Sequence, residues 1–253
     1  MSAQPVAPLR RSRPRPAWHV ASVVETRPET PTAARLILDV PTWPGSDAGS
    51  HVDLRLTAPD GYQASRSYSI ASSTPAGRVV LAIDELPDGE VSPFLVRELR
   101  PGDKLELHGP LGAFFVWRPG ESRRPVQLIG GGSGVVPLYA MAAAHGAGDD
   151  PSPFRLLYSV RTPADVFFAD ELAALAGQAF GLDLVYTREA PDGWPDAAGR
   201  LTRETLAART IPAEQRPSVY VCGSTGFVEA VASWLQDLGH SATDIHTERY
   251  GGL

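Results

Sequence analysis

Residues Gln127-Leu128-Ile129-Gly130-Gly131-Gly132-Ser133-Gly134-Val135-Val136-Pro137 decide how this chain is read. An apolar run enters a glycine-rich turn and leaves as a second apolar run, the pattern of a buried strand followed by a helix. Glycines let the backbone come close to a phosphate. The unpaired N–H groups and positive dipole end of a helix starting at Val135 attract anionic oxygens. Five such residues between apolar runs favour pyrophosphate binding over a strand-to-helix turn with no ligand. The spacing departs from the strict G-x-G-x-x-G fingerprint, since Val135 stands at the third glycine position and no acidic residue is obvious about 20 positions on.

The strand-then-helix rhythm continues downstream. Val126–Ile129, Arg155–Val160, Asp183–Thr187 and Ser218–Cys222 read as buried strands, and helices are expected at Val135–His145, Asp165–Ala176, Thr202–Arg209 and Gly226–Leu238. Such alternation implies right-handed crossovers and a parallel sheet covered on both faces. Upstream the chain breaks into short β-rich pieces: His19–Glu25, Ala34–Val40, His51–Leu56, Ser65–Ile70, Arg78–Ile83, Lys104–His108 and Phe114–Trp117. Asp60-Gly61 is a hairpin turn signal, and Arg100-Pro101-Gly102-Asp103 punctuates the entry to another strand. Phe94, Leu95 and Leu99 recur at helical spacing, so one short helix interrupts the strands, with Ser92 as its N-cap and Pro93 at its first position. The expected fold is therefore an N-terminal antiparallel Greek-key β-barrel followed by a C-terminal α/β Rossmann-like parallel sheet. The expected segments are an Arg/Pro-rich arm over 1–16, a β domain over 17–119 and an α/β domain over 124–253.

Composition agrees with two soluble domains: 253 residues, 43% hydrophobic and 21% charged, at a prior of roughly 100–200 residues per domain. A formal net charge of −6 argues against nucleic acid as a partner. Cys222 is the one cysteine, which excludes an internal disulfide and argues against zinc or iron–sulfur sites within the chain. Pro125 to Gly148 carries no Asp, Glu, Lys or Arg, but its glycines and Pro137 break it, so no membrane span is expected. Arg10 and Arg11 suggest a twin-arginine signal, yet no apolar region follows them, and a cytoplasmic protein with a flexible arm is expected.

Two further segments carry chemistry. Arg66-Ser67-Tyr68-Ser69 offers a cation for phosphate, an aromatic face for stacking and a hydroxyl for one hydrogen bond, although Arg and Tyr also occur on exposed strands without function. Gly89-Glu90-Val91-Ser92 precedes the short helix, and a helix start is also a phosphate site.

In this order the segments resemble the flavin-binding reductases of the ferredoxin-NADP reductase superfamily, in particular bacterial members close to oxygenase reductases without a fused iron–sulfur domain. Arg66-x-Tyr68-Ser69 is similar to that family's flavin motif, Gly89-x-Val91-Ser92 to its flavin pyrophosphate motif, and Gly131 to Pro137 to its nicotinamide nucleotide loop. Tyr220-Val221-Cys222-Gly223 and Glu248-Arg249-Tyr250-Gly251 complete the set. Ser224 departs from the pattern, standing where the family usually has proline.

The resemblance implies a role for each of these positions. Arg66 would neutralise the flavin pyrophosphate, Tyr68 would pack on the isoalloxazine ring, and Ser69 would hydrogen-bond near its N5. Ile83 would run beside the flavin, and Glu90, Val91 and Ser92 would meet its phosphates. Gly131, Gly132, Ser133, Gly134 and Val135 would hold the nicotinamide nucleotide. Cys222 would lie against the nicotinamide, with Gly223 allowing close approach, although a lone thiol on a buried strand is also an ordinary small hydrophobe. Glu248 would supply charge or relay a proton near Ser69, and Tyr250 would shield a flavin face. Ser159 and Arg161, assisted by Arg188, could hold an adenosine 2′-phosphate, which leans the expectation to NADPH over NADH. FAD is favoured over FMN. The implied activity is an FAD-dependent NAD(P)H oxidoreductase that passes hydride to flavin and then single electrons to a separate acceptor, a ferredoxin or oxygenase component. The alternatives are a reductase that releases free reduced flavin and a non-catalytic nucleotide-responsive module.

Overall fold

The computed structural model describes residues 15–250 apart from Pro59, Ala76 and Gln178. Most of the N-terminal arm, including Arg10, Arg11 and Arg13, lies outside the described residues, as does Gly251.

Six antiparallel strands close a barrel: β1 (Ala17–Thr30), β2 (Ala33–Asp39), β3 (His51–Thr57), β4 (Gln63–Ser73), β5 (Arg78–Asp84) and β6 (Lys104–Leu111), in the spatial order β1-β2-β5-β4-β3-β6. The order out of sequence is the Greek-key signature, and closure leaves no free sheet edge. Alternating residues fill the interior, among them Leu36, Leu38, Val52, Leu54, Leu81 and Leu107, all fully buried. The turn Arg100–Asp103 is made as its residues dictate: Gly102 takes a φ of 97°, and the Asp103 carboxylate accepts the Arg100 N–H at 2.8 Å. A short helix, α1 (Ser92–Arg97), plugs the barrel with Leu95.

The second half is a five-stranded parallel sheet of β7 (Val126–Gly131), β8 (Phe154–Val160), β9 (Phe180–Tyr186), β10 (Ser218–Ser224) and β11 (Ile245–Tyr250), ordered β11-β10-β7-β8-β9. The helices are α2 (Val135–Gly146), α3 (Ala169–Leu175), α4 (Arg203–Arg209) and α5 (Thr225–Asp237). The chain winds outward from β7 to β8 and β9, then returns to β10 on the other side. The crevice between the C-terminal ends of β7 and β10 is thus the topological switch point, where open α/β sheets bind ligands.

The structure corrects four expectations. Phe114–Trp117 is not a strand: Gly112, at a φ of 109°, turns the chain away from β6, and Trp117 makes a single antiparallel bridge to Ala48. Trp117 instead packs edge-on against Phe154 of β8, while Phe114 is 89% exposed. The helix expected from Asp165 begins at Ala169, because Thr162 and Asp165 close a capping box around one tight turn and Phe168 then adopts a left-handed conformation. The N-cap of α1 is Val91, and the Ser92 hydroxyl accepts the Leu86 N–H at 3.0 Å rather than capping the helix. The terminal segment, to which the sequence assigns no strand, is the edge strand β11.

Each half has an apolar cluster of its own, and a third spans the boundary. Ala71 and Ala82 of the barrel cluster with Phe115, Trp117, Leu128, Val136 and Met141, and α2 lies against β4. A polar clamp reinforces the boundary. Arg35 on β2 meets Glu29 of β1 at 2.6 Å and Glu171 of α3 at 2.5 Å, and Glu29 also accepts the backbone N–H of Phe168 at 2.6 Å. The Phe168 ring lies under the Arg35 guanidinium at 4.8 Å and stacks on Tyr139 of α2 at 3.9 Å.

Candidate active site

A cleft of about 410 Å³ opens along the domain boundary. The barrel supplies Arg66, Ser67, Tyr68 and Ser69 from β4, Ile83 from β5, and Gly89, Glu90, Val91 and Ser92 from the turn into α1; the other half supplies Ser133 and Tyr250. Nine of these eleven belong to the barrel half, so the cleft is asymmetric, with one wall made mainly by β4, β5 and the turn into α1. Tyr68 is half-buried, and that burial pushes its hydroxyl up to about 12, so it stays neutral. Arg66 is exposed, with its guanidinium 3.5 Å from the Glu90 carboxylate. Gly89 is required by the turn: a Cβ there would lie 2.9 Å from the Leu86 carbonyl oxygen.

The glycine loop lies at the switch point. Gly132 takes a φ of 55°, which favours glycine. Gly134 lies so close to β10 that a Cβ would meet the Cys222 carbonyl oxygen at 2.5 Å. Gly131 and Gly223 both pack on the Phe227 ring, at 3.0 and 2.7 Å from where their Cβ atoms would stand. Tyr250 covers this loop, its hydroxyl donating to the Gly131 carbonyl at 2.7 Å.

Cys222 pairs in register with Gly130 on one side and Glu248 on the other. Burial pushes its thiol well up, with the Glu248 charge adding to the shift, so it is a packing surface rather than a thiolate nucleophile. Burial also raises the Glu248 carboxyl to about 7. Ser159 is in register with Gly131, next along the sheet, and is buried. Arg161 and Arg188 are exposed and adjacent, with the Arg188 N–H bonded to the Arg161 carbonyl at 2.9 Å. These three form a group at the C-terminal ends of β8 and β9, outside the first cleft.

Sequence reasoning missed Asp84, Leu86, Val136 and Arg249, which also line the cleft, and His51, which faces Glu248. Their types carry no distinctive signal; only the register of β3 on β4, with His51 opposite Ser69, brings His51 to the site.

The residues present fit a flavin and a nicotinamide nucleotide. An aromatic wall and an exposed guanidinium stand beside a tight helix-opening turn, and across the boundary a glycine loop meets a buried strand end so closely that no side chain could be added at Gly134. This is the outline of a two-domain oxidoreductase with one cofactor per half.

Comparison with known proteins agrees. An oxidoreductase FAD-binding domain model matches residues 31–116 and an oxidoreductase NAD-binding domain model matches residues 128–233. The chain belongs to the ferredoxin-NADP reductase superfamily of FAD- and NAD-binding oxidoreductases. It is 29% identical over 202 residues to the toluate 1,2-dioxygenase electron transfer component of Pseudomonas putida, covering 80% of this chain and 58% of that protein. It is 31% identical over 208 residues to the glycine betaine monooxygenase reductase subunit of Chromohalobacter salexigens, covering 80% and 55%. The flavohem-like FAD/NAD-binding domain of nitric oxide dioxygenase from Vibrio cholerae superposes with a TM-score of 0.82 at 25% identity, covering 92% of this chain and 99% of that one. The chain spans about half the length of the curated relatives it matches. No helix among the described residues is long and apolar enough to cross a membrane.

Proposed function

We propose that this chain is an FAD-dependent NAD(P)H oxidoreductase that delivers electrons to a separate protein acceptor, a ferredoxin or an oxygenase component. The observation that carries the reading is the single cleft in which the Arg66–Ser69 segment, the Gly89–Ser92 turn, Ser133 and Tyr250 meet. Bound FAD supplies the conversion of one hydride into two single-electron transfers. The chain's own work is positional. Arg66 and the N–H groups of the turn hold phosphate, Tyr68 gives a neutral aromatic face, and Ser69 offers a hydroxyl at the ring edge. Ile83 walls the ring from the barrel side.

Gly131, Gly132, Ser133, Gly134 and Val135 hold the nucleotide's phosphates, while the protonated Cys222 and the bare Gly223 give the nicotinamide a flat approach. Arg161 and Arg188, exposed and joined through their backbones just past β8 and β9, lie near Ser159, which suits an adenosine 2′-phosphate and favours NADPH. The names of the toluate dioxygenase and betaine monooxygenase relatives support an oxygenase system as destination. A lone reduced thiol suits the cytoplasm.

The test is an anaerobic titration of the purified protein with NADPH and then NADH, followed in the visible spectrum. Bleaching of bound flavin at stoichiometric NADPH is expected. A protein that binds no flavin, or whose flavin neither nucleotide reduces, overturns the reading.

A further inference from the structure

Beside the cleft, one buried polar atom lacks a partner: His51 Nδ1 is shielded from solvent and makes no hydrogen bond among the described residues. It faces Glu248 Oε1 at 3.8 Å, about 0.6 Å beyond hydrogen-bond range. The two belong to different halves of the molecule. His51 opens β3, in register with Ser69 on β4 and Leu111 on β6; Glu248 lies on β11, in register with Cys222 on β10. Gly112, whose φ of 109° favours glycine, packs beside the ring: a Cβ there would stand in ordinary contact, 3.6 Å from His51 Nδ1.

The other ionisable groups facing the pair are few. Asp53, two residues along β3, accepts the Ser67 hydroxyl at 2.6 Å and lies 3.9 Å from His108 of β6. Cys222 stands on the far side of Glu248 as a neutral thiol. Burial holds His51 below the ordinary histidine range, with Asp53 opposing weakly, while Glu248 rises to about 7. A neutral imidazole and a carboxyl therefore confront each other at neutral pH.

We propose that His51 is a positioning residue that, with Glu248, forms a one-proton switch across the domain boundary. The proposal rests on the reductase reading above. In the protonated state the Glu248 carboxyl donates to His51 Nδ1 and the ring carries its hydrogen on Nε2. On loss of one proton to solvent the ring hydrogen passes to Nδ1, and Nδ1–H donates to the Glu248 carboxylate. Nothing is oxidised or reduced, and in either state closing the 3.8 Å gap with one hydrogen bond would tie β3 to β11. Because the second bond is charge-assisted and the stronger of the two, His51 steadies the carboxylate and thereby sets the pH at which Glu248 gives up its proton next to Ser69.

The test is nitrogen-15 NMR of the histidine-labelled, FAD-loaded protein between pH 5.5 and 9. His51 Nδ1 is expected to change from a non-protonated to a protonated nitrogen through one step near neutrality, and Glu248→Gln is expected to abolish that step. A second measurement is the pH profile of flavin reduction in His51→Leu, whose midpoint is expected to move up by about one unit. A His51 signal without a step, a step that survives in Glu248→Gln, or an unmoved midpoint overturns the switch. Flavin that no nucleotide bleaches at any pH would instead overturn the reductase reading, while the NMR titration would still report on the pair.

Discussion

Gly134 and Cys222 are in backbone contact: the space for a Cβ on Gly134 ends 2.5 Å away at the Cys222 carbonyl oxygen, and the Gly223 nitrogen is 2.7 Å from the same point. The start of α2 is thereby pressed onto the end of β10, and the walls of the nucleotide crevice have no room to spare. Gly134 has an ordinary helical φ of −62°, so steric contact rather than backbone strain requires glycine. Gly134→Ala should force α2 outward, cost about 1–3 kcal/mol as overpacking does, and weaken nucleotide binding. Thermal melting together with an NADPH binding isotherm checks this; unchanged values in both would mean that the helix yields freely.

The Arg35 clamp predicts how the halves unfold. The Glu29 side chain is only 3% exposed, and removing one partner of such a pair leaves a charge uncompensated, at about 3–5 kcal/mol. In Arg35→Ala the boundary should loosen before either core does. Urea unfolding followed by tryptophan fluorescence should then show two separated transitions where the unaltered protein shows one, and a single transition at the original midpoint would count against the clamp.

Glu248 ties stability to pH. Burial pushes its folded carboxyl up to about 7, above the ordinary value of 4.5. Between those values the folded state holds a proton that the unfolded chain has lost, so stability is fully present below the lower value and falls as pH rises toward 7. The loss is at most about 3 kcal/mol and smaller to the extent that water reaches the side chain. Denaturation midpoints at pH 5 and pH 7.5 should differ in the wild type and converge in Glu248→Gln.

Tyr250 guards the glycine loop through its bond to Gly131 and its closeness to Gly132, where a Cβ would stand 3.1 Å from the hydroxyl. A nucleotide reaching that backbone must displace the ring. Tyr250→Ala should therefore tighten nucleotide binding several-fold, readable as a lower Kd by isothermal titration; weaker binding would show that the ring supports the ligand instead.

Much of this was legible in sequence because the relevant signals are local. The glycine loop announces itself between Ile129 and Val135, and strand periodicity separates barrel from sheet. What escaped depends on contacts distant in the chain. Phe114–Trp117 has the composition of a strand, but Trp117 is drawn off to Phe154 of the other half. Phe168 looks helical until Glu29, 139 residues away, captures its N–H. The terminal Glu248–Tyr250 carries no strand periodicity, and it joins the sheet, with Glu248 half-buried, only by pairing with β10. His51 has no motif of its own, and its place opposite Ser69 follows from the hairpin register.

The same clamp bears on how such proteins can be recombined. Barrel and sheet are each continuous in sequence, so they invite exchange between relatives as separate modules. Arg35 and Glu29 travel with the first module, Phe168 and Glu171 with the second. A chimera that pairs this barrel with a foreign nucleotide module lacking an acidic residue at the α3 position would lose the Arg35–Glu171 link and should align its two halves less firmly. Compatibility between modules is thus written in part in four residues outside both cofactor motifs, beside the apolar cluster that spans the boundary.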